Sequence, residues 1–330
     1  MSSATVLLVD VVDVVVAFGL VVILPLGLSL LGPHVVPGAG GPWWPVAGAV
    51  AAVGAWAPQG VPAQVATVPF LGGSAVLLVS AARAALPGPT APRPLGVRLA
   101  VGAALVLPSV GAAAMLADRG GWGLLGFSGT YLALTVPHML FAGFAAALVA
   151  GLVAGPVAGW GEPAPGATAT SRGAAGRDGA ATAGAWGVPV GTGLVLVGYF
   201  VGDAAELVGA LVLTGALWCT AWAVLGLAAR GWARGLLVTG SVAVACSMLL
   251  AMWWAVGEAT GLPHPSIGQM AATHGVANAV GFALCTLLGL RAVRGAAGER
   301  IERRGPAGPA LQGTAIRPHR PSRTPGRRQS

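Results

Sequence analysis

The sequence predicts an all-α fold: a polytopic transmembrane helix bundle of about nine spans, followed by a disordered, arginine-rich C-terminal tail. Three observations carry this expectation. Hydrophobic residues make up 55% of the 330 residues and charged ones only 8%, against about a quarter charged in an average soluble domain. Mean hydropathy is +0.79. The apolar residues also gather into runs of about 20, the length that crosses a hydrocarbon layer in which every backbone polar group must be satisfied internally.

The runs come in order along the chain. Val11 to Leu31 is the first. It lacks a basic leader and a small-residue cleavage site, so it is expected to stay as a membrane anchor. Trp43 to Ala57 is short, and Gln64 to Leu86, Val97 to Ala117 and Ser128 to Ala154 are full-length. Val188 to Gly202 is again short, followed by Leu207 to Ala229, Gly235 to Val256 and Met270 to Arg291. Pro25 and Pro137 lie inside their runs, where a missing N–H and a bulky ring are expected to kink a helix. Gly198 and Gly202 form a GxxxG, a weak signal in a chain with 53 glycines. No repeat between the halves supports an inverted-repeat transporter.

Between the runs, Gly159 to Gly187 is rich in Gly, Ala and Thr and reads as a flexible cytoplasmic linker. The expected organisation is therefore a first set of five spans over 1–158, a linker over 159–187, four further spans over 188–292, and a disordered basic cytoplasmic tail over 293–330.

The net charge of +8 does not point to nucleic acid, because ten of the 18 basic residues lie from Arg291 onward. Such a tail is attracted to anionic lipid headgroups at the inner leaflet, so lipid is the expected partner. Arg83, Arg93 and Arg98 surround one loop, and Arg230 and Arg234 bracket another. Nine alternating spans put both groups and the tail on one side, which the positive-inside rule makes cytoplasmic. The expected location is the plasma membrane with the N-terminus outside, near Asp10 and Asp13. The three cysteines, Cys219, Cys246 and Cys285, stand singly in apolar runs and read as small buried residues rather than ligands.

Polar groups inside a span are costly, by about 2.5 to 3.5 kcal/mol for a charged side chain at a helix centre, and so point to function. Tyr131, Thr135 and His138 fall at helical spacing on one face, and His274 and Asn278 share another. Gly275 and Gly281 would let another helix or a ligand approach closely. Asp203 and Glu206 stand three apart where a helix begins; for Asp203 an equally good role is to complement the helix dipole. Measured from the proposed outer ends, His138 lies about 12 Å deep and His274 about 6 Å deep, at 1.5 Å per residue. The expected site is one outward-opening polar pocket formed by spans five, six, seven and nine. Its binding residues are His138, His274, Asn278, Glu206, Asp203, Tyr131 and Thr135, and its ligand is a small solute, a cation or a proton.

At these histidine segments the chain resembles the YndJ-like family of bacterial multi-pass membrane proteins. The residues that carry this are Leu134-Thr135-x-x-His138-x-x-Phe141-Ala142-Gly143-Phe144 and Thr273-His274-Gly275-x-x-Asn278-Ala279-x-Gly281-Phe282. Gly198 to Trp218 is also similar, and the resemblance runs from Gly126 to Leu290 with a fainter echo over Val22 to Leu31. It implies a multi-pass membrane location and only loosely a transport role. The family often has a second histidine two positions after the first; here that position is Leu140, which weakens a metal-site reading.

A transporter-like protein is therefore the leading expectation. The alternative is a membrane haem- or metal-binding redox protein with His138 and His274 as ligands, although no cofactor is named by any motif. An enzyme is less expected, since HExxH, GxSxG and Walker A sequences are missing. A scaffold or sensor without chemistry of its own is the remaining option.

Overall fold

A computed structural model describes residues 3–86, 94–155 and 172–304, with side chains over 11–86, 94–155 and 176–296. Among the described residues the chain is helical and contains no strand. Eight helices are long and apolar enough to cross a membrane. We label them with one shorter helix in chain order: α1 Val11–Leu31, α2 Trp43–Trp56, α3 Val61–Ala85, α4 Leu95–Gly120, α5 Thr130–Ala154, α6 Gly176–Val201, α7 Asp203–Leu225, α8 Gly231–Thr260 and α9 Ile267–Ala296.

The nine runs of the sequence are thus nine helical legs, but α2 differs from the others. Its 14 residues measure about 21 Å at 1.5 Å per residue, short of the ~30 Å hydrocarbon thickness. It still runs antiparallel to α1. Gly48 sits against the carbonyl of Leu20 in mid-α1, and Trp44 packs on Gly73 in mid-α3. The far end of α2 reaches the Asp118–Arg119 end of α4. The loop between α1 and α2 folds back to bring Gly40 beside Ser29.

α5 is the hub. In its best 18-residue window 83% is buried inside the protein, against 33–56% for the other spans. Leu140, Phe144, Leu148 and Leu152 have essentially no exposed surface. Their bulk is received by glycines elsewhere: Gly19 faces Leu140 and Phe141, and Gly27 faces Phe144 and Leu148. Close approach at small residues is how helices associate where lipid removes the hydrophobic driving force.

Each of the two expected prolines stands next to a widened turn. Pro25 directly follows a π-helical turn at Gly19–Ile23 and a single residue, Leu24, and Pro137 lies two residues before another at Met139–Ala145. A proline clashes with the carbonyl four residues back; the widened turn before Pro25 spans that position, whereas the one after Pro137 lies beyond it. α9 carries two more π-helical stretches, Ala271–Gly275 and Ala277–Leu284. The widened segments of α1, α5 and α9 pack against one another in the middle of the bundle.

α6 and α7 form an antiparallel hairpin in one fixed register. Gly184 meets Thr220, Gly187 meets Ala216, Gly191 meets the backbone of Leu213, and Gly198 meets that of Glu206. The turn is made by Gly202, whose φ of +130° favours glycine. The Gly198–Gly202 pair is therefore not a packing motif: only Gly198 touches another helix, and it does so within its own hairpin.

Four arginines close helix ends. Arg98 donates to Ala85 O at the end of α3, Arg234 to Leu225 O at the end of α7 (2.6 Å), and Arg294 to Leu30 O at the end of α1 (2.5 Å). At the opposite end of the bundle Arg119 donates to Ala55 O at the end of α2 (2.5 Å). Each satisfies a final-turn carbonyl left without an intrahelical partner, and each does so on a helix other than its own. With the contacts of Gly27 on Leu148, Gly155 on Val97, Gly96 on Trp186 and Gly226 on Arg177, the first three put the ends of α1, α3, α7 and α9 with the starts of α4 and α8.

The structure corrects several expectations. Of the expected 159–187 linker, residues 172–187 are helical and run without a break into the rest of α6, and 159–171 lie outside the described residues. Its Gly/Ala composition lowers hydropathy, which hid a helix that meets α7 through Gly184 and Gly187. The helix of α9 likewise continues to Arg304, past the expected tail boundary at 293, because alanine, glutamate and arginine are good helix formers. The tail beyond it lies outside the described residues. The cysteines are free, with Cys219 and Cys285 half-buried and Cys246 exposed on the protein surface rather than buried.

Candidate functional site

The polar residues of α5, α7 and α9 reach one cavity of about 300 Å³. It lies at the end of the bundle marked by Val11, the 121–129 loop, the Gly202 turn and the start of α9. Tyr131, Thr135, His138, Glu206, His274 and Asn278 all line it. Asp203 does not. It is exposed in the first turn of α7 behind Gly202 and makes no capping hydrogen bond with its side chain. One turn of helix separates the two carboxylates, so only the deeper one faces inward.

His138 stands about 12 Å along α5, at 1.5 Å per residue. Its Nδ1–H donates to Leu134 O at 2.7 Å. The carbonyl can only accept, so this bond fixes the proton on Nδ1 and leaves Nε2 as an acceptor, with no hydrogen-bond partner among the described residues. Thr135 turns its hydroxyl back to Tyr131 O at 2.8 Å, which removes its proton from the cavity.

His274 is deeper than expected. α9 begins at Ile267, where Ser266 and Gln269 form a capping box, so the ring lies about 10 Å along the helix rather than 6 Å. Its Nδ1–H donates across to Ser247 O on α8 at 2.9 Å. Asn278 Nδ2–H donates to His274 Nε2 at 3.0 Å, and Ser247 Oγ–H donates to Asn278 Oδ1 at 2.8 Å. The three residues thus close a ring that locks α8 to α9 and engages both imidazole nitrogens. Of the two cavity histidines, His138 alone keeps a ring nitrogen with no hydrogen-bond partner among the described residues. Gly281 receives Ala243 of α8, whereas Gly275 meets no neighbouring helix and lines the cavity.

The ring gives a testable coupling. Replacing Asn278 by Leu leaves His274 Nε2 without its donor and the Ser247 hydroxyl with only the longer contact to Val244 O (3.2 Å). In a double-mutant cycle with His274→Phe, we expect a coupling between about 0.6 and 1.7 kcal/mol, the range of interhelical hydrogen bonds in membranes. Additive effects in thermal unfolding would refute the ring.

Sequence reasoning missed much of the wall. α1, α4 and α8 contribute as well as the four expected spans, and most of what they supply is apolar: Val12, Val15, Val110, Ala114, Met248 and Ala255. The pocket is therefore an apolar cavity with a few polar groups, not a polar one. Its rim is aromatic. Phe127 packs on Tyr131, Tyr199 and Phe200 with ring centroids 6.1, 6.3 and 5.2 Å apart. Tyr199 and Phe200 sit at the end of a run that the sequence marked only for its glycines. Nearby, His264 pairs with Glu258 at 3.0 Å and stands edge-on to Trp254, which pins the 261–266 loop beside the cavity.

Among the described residues, no three His, Cys, Asp or Glu side chains gather as a metal site. No curated protein and no solved structure matches the chain. The family model described as YndJ-like protein matches residues 14–282. The match takes in α2–α8 whole, most of α1, α9 as far as Phe282, and every polar residue that lines the cavity. With its eight apolar membrane-length helices, the chain is a multi-pass membrane protein and belongs to the YndJ-like family.

Proposed function

We propose that this chain is a transporter-like protein of the plasma membrane that receives a small solute in the cavity bounded by α1 and α4–α9. The observation that carries this reading is the convergence of His138, Glu206 and the His274–Asn278 pair on one cavity of about 300 Å³. Ligand pockets begin at about that volume and combine apolar walls with a few placed polar groups. Ionisable residues gathered deep in a membrane bundle mark a solute or proton pathway.

The cavity opens to the outside and the C-terminus lies in the cytoplasm. This orientation follows from the arginines: Arg83, Arg98, Arg230 and Arg234 belong to the end opposite the cavity, which the positive-inside rule makes cytoplasmic. The basic tail beyond Arg304 lies on that side and associates with anionic headgroups.

Cysteine accessibility tests the reading. Cys219, Cys246 and Cys285 are first replaced by alanine, and single cysteines are then introduced as His138→Cys and His274→Cys. A membrane-impermeant thiol reagent is applied from each face of oriented vesicles. We expect fast labelling from outside and slower labelling from the cytoplasmic face, as a cavity that alternates between the two sides requires. Labelling only from outside would refute transport. Labelling only from the cytoplasm would refute the orientation.

A further inference from the structure

Among the described residues Glu206 is the single carboxylate in the cavity lining, and none of them that lines it is an arginine or lysine. It is half-buried and has no hydrogen-bond or ion-pair partner among the described residues. Its backbone crosses α6 at Gly198, beside Tyr199, which lines the same cavity. The neighbouring carboxylates are placed otherwise: Glu258 is paired with His264, and Asp203 is exposed and does not line the cavity. A carboxylate set into an apolar wall without a countercharge is costly. A ligand that brings the countercharge is favoured accordingly.

The rest of the cavity narrows the kind of cation. A metal ion needs about six oxygen ligands to replace its water, and these walls offer Val12, Leu213, Met248 and Phe282 instead. An apolar body fits them. At the rim, the faces and edges of Phe127, Tyr131, Tyr199 and Phe200 suit an ammonium group, which aromatic quadrupoles attract. We infer that the cavity takes an amphipathic organic cation, with its charged head between Glu206 and the aromatic rim and its apolar body among the aliphatic side chains of α1, α7, α8 and α9. This rests on the solute-cavity reading above and goes beyond it by naming the ligand's chemical class.

The test uses the full chain in lipid nanodiscs, with empty nanodiscs as the reference. Equilibrium dialysis measures binding of benzyltrimethylammonium and of neopentylbenzene, which has the same shape with a carbon in place of the charged nitrogen. We expect the cation to bind at least about tenfold tighter than the neutral isostere, as a desolvated charge contact allows. Glu206→Gln should abolish that preference while the isostere still binds, which shows that the variant is folded. If Glu206→Gln loses both probes, Glu206→Asp decides, since it keeps the charge: a retained preference supports the proposal and a lost one overturns it. Equal binding of both probes, unchanged in Glu206→Gln, overturns the cation and leaves the cavity reading standing. No binding of either probe above empty nanodiscs removes the cavity as a ligand site altogether.

Discussion

Replacing Arg119 by Ala is expected to destabilise the protein by about 3 to 5 kcal/mol, the cost of breaking a buried ion pair from one side. Arg119 Nη2 lies 2.5 Å from Asp118 Oδ2, and the two side chains are only 15% and 8% exposed. Nε adds a second contact to the same oxygen at 2.9 Å. Nη1 meanwhile donates to Ala55 O at 2.5 Å, which closes the end of α2. Gln59 holds the same corner by donating to Asp118 O at 2.8 Å, and Gly60 N–H donates to Arg119 O at 2.8 Å.

The substitution therefore leaves a buried carboxylate without its cation and a helix-end carbonyl without its donor. Asp13 of α1 lines the same small cleft, so a second carboxylate stands close to the one that is stranded. Thermal unfolding of the purified protein measures the loss. Removing both charges as Asp118→Leu with Arg119→Met should recover most of it, because an apolar pair carries no desolvation penalty. A loss below about 1 kcal/mol in the single variant, the level of an exposed pair, would show that the clamp is solvated and contributes little.

The second large effect is expected at Gly191. A Cβ built there would stand 2.6 Å from Leu213 N and 2.7 Å from its Cα. These are backbone atoms, so no rotamer change relieves the clash, and α6 and α7 must separate. Overpacking of this kind costs about 1 to 3 kcal/mol for added methylenes and more where the backbone must move. Gly191→Leu should lower the unfolding temperature sharply. Because the same hairpin presents Tyr199 and Glu206 to the cavity, the variant should also weaken ligand binding. Gly193 is the matched control: its Cβ would meet nothing within 4 Å, and Gly193→Leu should lower neither the unfolding temperature nor ligand binding. Equal behaviour of the two variants would show that the seam is loose.

How much of this was legible beforehand differs from element to element. Membrane helices announce themselves through a transfer free energy summed over about 20 residues, so α1, α3–α5 and α7–α9 were readable from runs of Val, Leu and Ala. α6 was read too short because glycine lowers hydropathy even where it is the contact surface. Among the site residues, His138, Glu206, His274 and Asn278 stood out because a polar group in a span is rare. Ser247, Tyr199 and Phe127 did not, since nothing in their local sequence separates a serine or an aromatic on a lipid face from one that completes a site. Arg119 was overlooked for the same reason: its meaning lies in Ala55 and Asp118, not in its neighbours along the chain.

The sequence by itself determined the solvent of this protein, the number of its legs and the short catalogue of polar groups that lipid would otherwise expel. Those follow from local composition, because burial of a helix in lipid is additive over its own residues. Only the tertiary structure decided which of those groups meet. It put Glu206 but not Asp203 in the wall, engaged both nitrogens of His274 while leaving one of His138 free, and lined the space between them with aliphatic side chains from α1, α4 and α8. Facing another helix depends on the register in which two helices pack, here set by glycines that admit a neighbour's backbone. That register is a property of pairs of segments far apart in the chain.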